Sequence, residues 1–217
     1  MTIAAVIFDW DGTLARSLDL WVDGYAHAFA RRDLRYAAGT IVAEFFQEHH
    51  LVAARHPHLD FPVIAAEARA HVHDTVAGVR LHDGAVAVLE GLAAAGVRLA
   101  LVSSSPRGAL ERGMAAHGLS GHFASVIAGD DGFGHKPDPL PFTETLARIG
   151  ARAEAALVIG DSHVDILAGR AAGCRTCWFA PPENRLFHDF DHLAGLGADH
   201  RVAGLADLMG HVKAYRV

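Results

Sequence analysis

The chain alternates short apolar runs with longer stretches in which apolar residues recur every three or four positions. Residues 3–8, IAAVIF, are the first such run. It has strand length, is rich in branched side chains, stops at a turn, and fits a parallel strand buried on both faces. Further runs at 97–102, 125–128, 156–159 and 175–179 predict more strands, and 200–202 reads as a last strand at the edge. Between them lie helical stretches: 85–95, closed by Gly96; a helix from Pro106 to His117, with Gly118 behind it; 141–149; a helix ending at Ala172; and 206–212. Gly129 to Pro139 reads as a loop. Strands alternating with helices of this length predict right-handed parallel crossovers, so the fold class expected is α/β with a Rossmann-like parallel sheet.

Residues 15–80 break this alternation. Leu18, Trp21, Val22, Tyr25 and Phe29 form one amphipathic stripe, and Val42, Phe45 and Phe46 begin a second. His56-Pro57 and Phe61-Pro62 mark a break, after which 63–76 reads as another helix. The expected organisation is therefore a sheet core made of residues 1–15 and 81–217, with residues 16–80 inserted as helices. Short connections lie near Ala15-Arg16-Ser17 and Gly78-Val79-Arg80.

Composition narrows the picture. At 217 residues and 51 % hydrophobic, the chain can bury a sizeable core and is not disordered. A formal charge of −6 without basic runs argues against nucleic acid as a partner. No apolar run approaches the roughly 20 residues that span a bilayer, and no signal-like segment opens the chain, so a cytoplasmic protein without a membrane partner is expected. Cys174 and Cys177 suggest a C-x-x-C site, but no second pair exists for zinc. Residues three apart on a strand point to opposite faces roughly 10 Å apart, too far for a disulfide. The sixteen histidines are read as parts of solvated polar faces rather than as a metal site.

The chemistry begins where the first strand ends, at Asp9-Trp10-Asp11-Gly12-Thr13. Two carboxylates at the end of a buried strand are costly without compensation, and a divalent cation is the usual compensation. Ligands in open α/β sheets bind at the carboxyl ends of the strands. An EF-hand is excluded because Leu20, not Glu, stands at the twelfth position, and because a buried strand precedes the loop.

DWDGT resembles the first motif of the haloacid dehalogenase-like hydrolase superfamily, whose phosphatases carry DxDGT. Three further segments resemble its other motifs in the same order. They are LVS ending at Ser103, Lys136 in HKPDP, and Asp161 and Asp165 in GDSHVD. The resemblance covers residues 3 to about 180. It implies that residues 16–80 are a small helical cap over the site. It also implies Asp9 as nucleophile, Asp11 as general acid and base, and Mg²⁺ held by Asp9, Asp11 (through its carbonyl) and Asp161, with Asp165 as a ligand or its support. Ser103, Ser104, Lys136 and the backbone of Trp10 and Asp11 would bind the phosphoryl group. Asp11 separates this pattern from the dehalogenase and phosphonate-cleaving branches, although Trp10 is frequent in the latter.

The activity implied is hydrolysis of a small phosphorylated metabolite through an aspartyl-phosphate, by a monomer or dimer. A sugar phosphomutase of the β-phosphoglucomutase type shares the cap and all four motifs, and a catalytically silent binding module is a third reading that the intact carboxylates oppose. Arg31, Arg32 and Arg35 are the basic candidates for substrate selection in the insertion.

Overall fold

The computed structural model describes residues 2–47 and 49–214. Six strands, β1 (Ala5–Phe8), β2 (Arg98–Val102), β3 (Ser125–Ile127), β4 (Ala156–Gly160), β5 (Arg175–Phe179) and β6 (His200–Val202), form one sheet in the order β3-β2-β1-β4-β5-β6. Every neighbouring pair is parallel. The apolar runs are continuous because both faces of the sheet are covered. Val6 and Phe8 pack on one face with Leu99, Leu101, Leu157 and Ile159. Ala5 and Ile7 pack on the other with Ala100, Val102 and Val158.

The register does the work of assembling the site. Phe8 stands opposite Leu101 on β2 and Ile159 on β4. Asp9 is one residue beyond, and Ser103 and Asp161 are two beyond. The three central strands therefore deliver their chemistry to the same edge of the sheet.

Four helices, α1 (Leu18–Ala30), α2 (Ala38–Phe45), α3 (His49–Arg55) and α4 (Phe61–Thr75), occupy the insertion. They share an apolar cluster of their own, including Val22, Phe29, Phe45, Phe61 and Ile64. Aromatic contacts stiffen it, with Tyr25 stacked on Phe61 at 5.9 Å and Phe29 against Phe45 at 4.5 Å between centroids. The two connections to the sheet run side by side. Ala15 and Leu81 form an antiparallel bridge, and the Arg16 N–H donates to the Arg80 carbonyl at 2.8 Å. Phe61-Pro62 is the first turn of α4 rather than a break before it. Proline lacks only an N–H that a first turn leaves unpaired, and the Asp60 side chain accepts from the Val63 N–H at 3.4 Å.

The remaining helices cover the sheet: α5 (Ala85–Ala94), α6 (Arg107–Ala116), α7 (Leu140–Ile149), α8 (His163–Ala171), α9 (Phe190–Gly195) and α10 (Leu208–Ala214). A 3-10 turn at Pro182–Leu186 and the short α9 fill residues 180–199, where the sequence analysis places no element. Both cysteines are free and buried, and burial pushes their thiols up to about 12, which keeps them unreactive. Among the described residues, no helix is long and apolar enough to cross a membrane.

Candidate active site

Asp9 leaves β1 with its N–H bonded to the Ile159 carbonyl at 2.9 Å, and only 6 % of it is exposed. Lys136, from the loop before α7, reaches it across the site. The ammonium donates to Asp9 Oδ1 and to Asp165 Oδ1, both at 2.6 Å, and is itself buried. Asp165 is fixed from the other side by a capping box at the start of α8. Its Oδ2 accepts from the Ser162 N–H at 3.2 Å and from the Ser162 hydroxyl at 2.6 Å. Both oxygens of Asp165 are thus engaged. Gly160 permits this approach, since a Cβ there would lie 2.2 Å from Asp165 Cγ.

Asp161 completes the group. One oxygen from each of Asp9, Asp161 and Asp165 falls within 4.8 Å of the others. Burial pushes the Asp9 carboxyl well above the ordinary carboxylate range, against the pull of Lys136, and the neighbouring carboxylates push it further. Burial likewise raises Asp161, against His188. Burial opposes the charge on Lys136, but Asp165 and Asp9 outweigh it and its pKa rises. Beyond burial, three buried carboxylates lie near one ammonium, which leaves an excess of negative charge. An all-oxygen donor set with that excess suits a hard divalent cation. Asp9 Oδ2 and Asp161 Oδ1 accept no hydrogen bond among the described residues, so each has an oxygen free for such an ion.

Asp11 points elsewhere. Its Oδ1 accepts from the Ser17 hydroxyl at 2.6 Å and the Trp21 indole N–H at 3.1 Å. Its Oδ2 accepts from the hydroxyls of Ser105 at 2.6 Å and Ser103 at 3.3 Å. Its carboxylate therefore stands apart from the metal group, and only its backbone carbonyl remains a candidate ligand. Ser105 was not among the residues singled out from the sequence, and Ser104, which was, has an exposed side chain that lines the crevice without touching Asp11. Trp21 belongs to the stripe read as packing, yet its indole serves the site. Trp10 is 1 % exposed, and its ring packs beside Gly113, so its side chain lies outside the site.

A crevice of about 1230 Å³ opens between the insertion and the strand ends. Trp21, Tyr25, Phe46 and Arg69 line one wall, and Ser104, Asp130, Lys136 and Val164 the other. Arg31, Arg32 and Arg35 are not part of it. Arg32 is 2.6 Å and Arg31 3.7 Å from Glu67, on the outer side of the helix pair, and Arg35 is exposed. Glu67 and Arg69 are separated by roughly 200° around α4, so Arg69 faces inward where Glu67 does not. Asn184 and His188, also unforeseen, both bond Asp161 from the segment after β5.

A family model for haloacid dehalogenase-like hydrolases matches residues 6–179. A phosphoglycolate phosphatase of Rhodospirillum rubrum is 35 % identical over 184 residues, covering 78 % of this chain and 76 % of that protein. A pyrophosphatase PpaX of Anoxybacillus flavithermus is 28 % identical over 217 residues, 96 % of each. The crystal structure of a predicted phosphoglycolate phosphatase from Haemophilus somnus superposes with a TM-score of 0.83 at 21 % identity, covering 97 % of this chain and 98 % of that one, a likeness of fold. With the family model reaching from β1 to the end of β5 and including the insertion, and with phosphatases among its relatives, the chain belongs to the haloacid dehalogenase-like hydrolase family, as one of its phosphatase enzymes.

Proposed function

We propose that the protein is a Mg²⁺-dependent phosphatase of a small phosphorylated metabolite, and that it transfers the phosphoryl group to Asp9 before water. The observation that carries this reading is the buried Asp9 carboxylate, held at 2.6 Å by Lys136, with Asp11 two residues on and held by the hydroxyls of Ser17, Ser103 and Ser105.

Asp9 attacks phosphorus as the ester P–O bond breaks, giving an aspartyl-phosphate. Asp11 gives its proton to the leaving oxygen. It then takes a proton from the water that attacks phosphorus, which releases phosphate and restores Asp9. The hydroxyls of Ser17, Ser103 and Ser105 can rotate between donating and accepting, so they accommodate Asp11 in both protonation states. Lys136, Ser103 and the backbone N–H groups of Trp10 and Asp11 hold the equatorial oxygens. Mg²⁺ bound by Asp9, the Asp11 carbonyl and Asp161 would supply charge neutralisation and geometry for the phosphoryl group. Asp165, with both oxygens occupied, supports the site by fixing Lys136. Phosphatases among the relatives favour release to water over return to a sugar, as a mutase would require.

In this reading residues 16–80 act as a cap over a core of residues 1–15 and 81–217, and the paired connections at Ala15 and Leu81 are its hinge. Phosphate release from a panel of phosphorylated metabolites tests the function. Activity should appear with Mg²⁺ and vanish on exhaustive chelation. Activity that survives complete metal removal, or none on any ester with Mg²⁺ present, would contradict it.

Arg69 replaces the three arginines singled out from the sequence as the selecting residue. It forms no ion pair among the described residues and lies in the crevice wall near Tyr25. A carboxylate on the substrate, as the Rhodospirillum relative's name implies for its own, would pair with it. Arg69→Met is expected to raise KM for a carboxylate-bearing phosphate ester by on the order of tenfold or more, the scale of a lost charge-assisted hydrogen bond. A neutral aryl phosphate should be little affected. Equal effects on both esters would show that Arg69 does not read the second group.

A further inference from the structure

The segment after β5 reaches back under the site. Asn184 Nδ2 donates to Asp161 Oδ2 at 2.9 Å, and also lies 2.9 Å from the Gly12 carbonyl. His188 Nε2 lies 2.8 Å from the same Oδ2 and is the donor there, because a carboxylate only accepts. Two donors fill the lone pairs of Oδ2. Gly12, at φ +76°, closes its remaining side, since a Cβ there would stand 2.0 Å from that oxygen. The Trp178 indole N–H holds the Asp161 backbone through its carbonyl at 3.1 Å. The carboxylate is thus held against rotation, with Oδ1 as its one oxygen without a partner among the described residues.

The segment is itself anchored. Asn184 is 3 % exposed. Glu183 lies 3.5 Å from Arg16 and 3.6 Å from His82, which flank the two connections of the insertion. Phe187 stacks with Phe46 of the insertion at 6.3 Å. These contacts make the two donors fixed points rather than mobile side chains.

We propose that Asn184 and His188 are positioning residues that restrict Asp161 to one-oxygen ligation, and so favour a small octahedral cation such as Mg²⁺ over Ca²⁺. The inference rests on Asp161 being a cation ligand. Mg²⁺ demands near-ideal octahedral geometry at about 2.0–2.1 Å. Ca²⁺ takes more oxygens at about 2.3–2.6 Å and readily accepts both oxygens of one carboxylate. A carboxylate locked by two donors offers one oxygen at a set position, and a released one can turn and offer two. Partners that orient a ligand typically account for about 10–100-fold in metal affinity.

Calorimetric titration of Mg²⁺ and of Ca²⁺ into the metal-stripped full chain tests this without any assay of activity. Asn184→Ala and His188→Ala should each weaken Mg²⁺ binding by on the order of tenfold or more and weaken Ca²⁺ binding less, so that the preference for Mg²⁺ narrows. His188→Gln keeps an N–H donor and should retain more of the preference than His188→Ala. It also serves if an alanine variant fails to fold. Mg²⁺ affinity within twofold of the unaltered protein in every folded variant would overturn the inference alone. So would an equal loss for both cations. Failure of the unaltered protein to bind Mg²⁺ would overturn the reading of Asp161 as a ligand, and this inference with it.

Discussion

Asp9→Asn is expected to abolish turnover, by on the order of 10⁵-fold or more, while the fold persists. The proposed route passes through a covalent bond to the Asp9 carboxylate, and an amide cannot form it. Loss of a nucleophile removes the whole path rather than one contribution to it. The substitution is nearly isosteric, and it removes one charge from a buried group of three carboxylates that holds a single ammonium, so the folded state should not suffer. Phosphate release from the Mg²⁺-supplemented variant, with circular dichroism and thermal unfolding alongside, checks both halves. Near-native activity in a correctly folded sample would remove Asp9 from the role.

Lys136→Met carries the second large effect, and here stability should fall with activity. The ammonium bridges Asp9 and Asp165, each at 2.6 Å, in a place where almost nothing is exposed. Removing one partner from a buried ionic cluster leaves uncompensated charge, which typically costs about 3–5 kcal/mol. Added Mg²⁺ should restore part of that loss, because it relieves the same excess of negative charge. Turnover should remain severely reduced, since the phosphoryl oxygens lose a charged donor. Urea unfolding with and without Mg²⁺ measures the effect. A loss below about 1 kcal/mol would mean that the carboxylates do not depend on the lysine.

The parts of the site that were legible in the sequence share one feature. Asp9, Ser103 and Asp161 stand immediately after continuous apolar runs, and parallel register brings such run ends together. Lys136 was legible only through its resemblance to a motif, because nothing in a loop lysine's surroundings shows that it will fold inward. Trp21 was read as packing because helical spacing cannot separate a ring that fills a core from one whose N–H meets a carboxylate. Ser105 was hidden in a run of three serines, of which Ser103 and Ser105, not Ser104, turn toward Asp11.

Asn184 and His188 gave no signal. Both side chains meet a partner more than twenty residues away, which no local pattern reveals. His188 was one of sixteen histidines read as solvated, yet it lies against a buried carboxylate. The arginines of the insertion failed for the opposite reason. Arg31 and Arg32 are charged and near the site in sequence, but Glu67 claims both on the outer surface. Helix number and order in the insertion were only partly legible, because Phe61-Pro62 looks like a break until a capping residue places the proline in a first turn.

The stereochemical course at phosphorus tests the central claim most directly. An ester made chiral at phosphorus is hydrolysed by the Mg²⁺-supplemented protein, and the configuration of the product is read by nuclear magnetic resonance. Transfer to Asp9 followed by transfer to water is two in-line displacements, each inverting the centre, so the account predicts net retention. Net inversion would mean that water attacks the ester directly, and it would contradict the role given to Asp9.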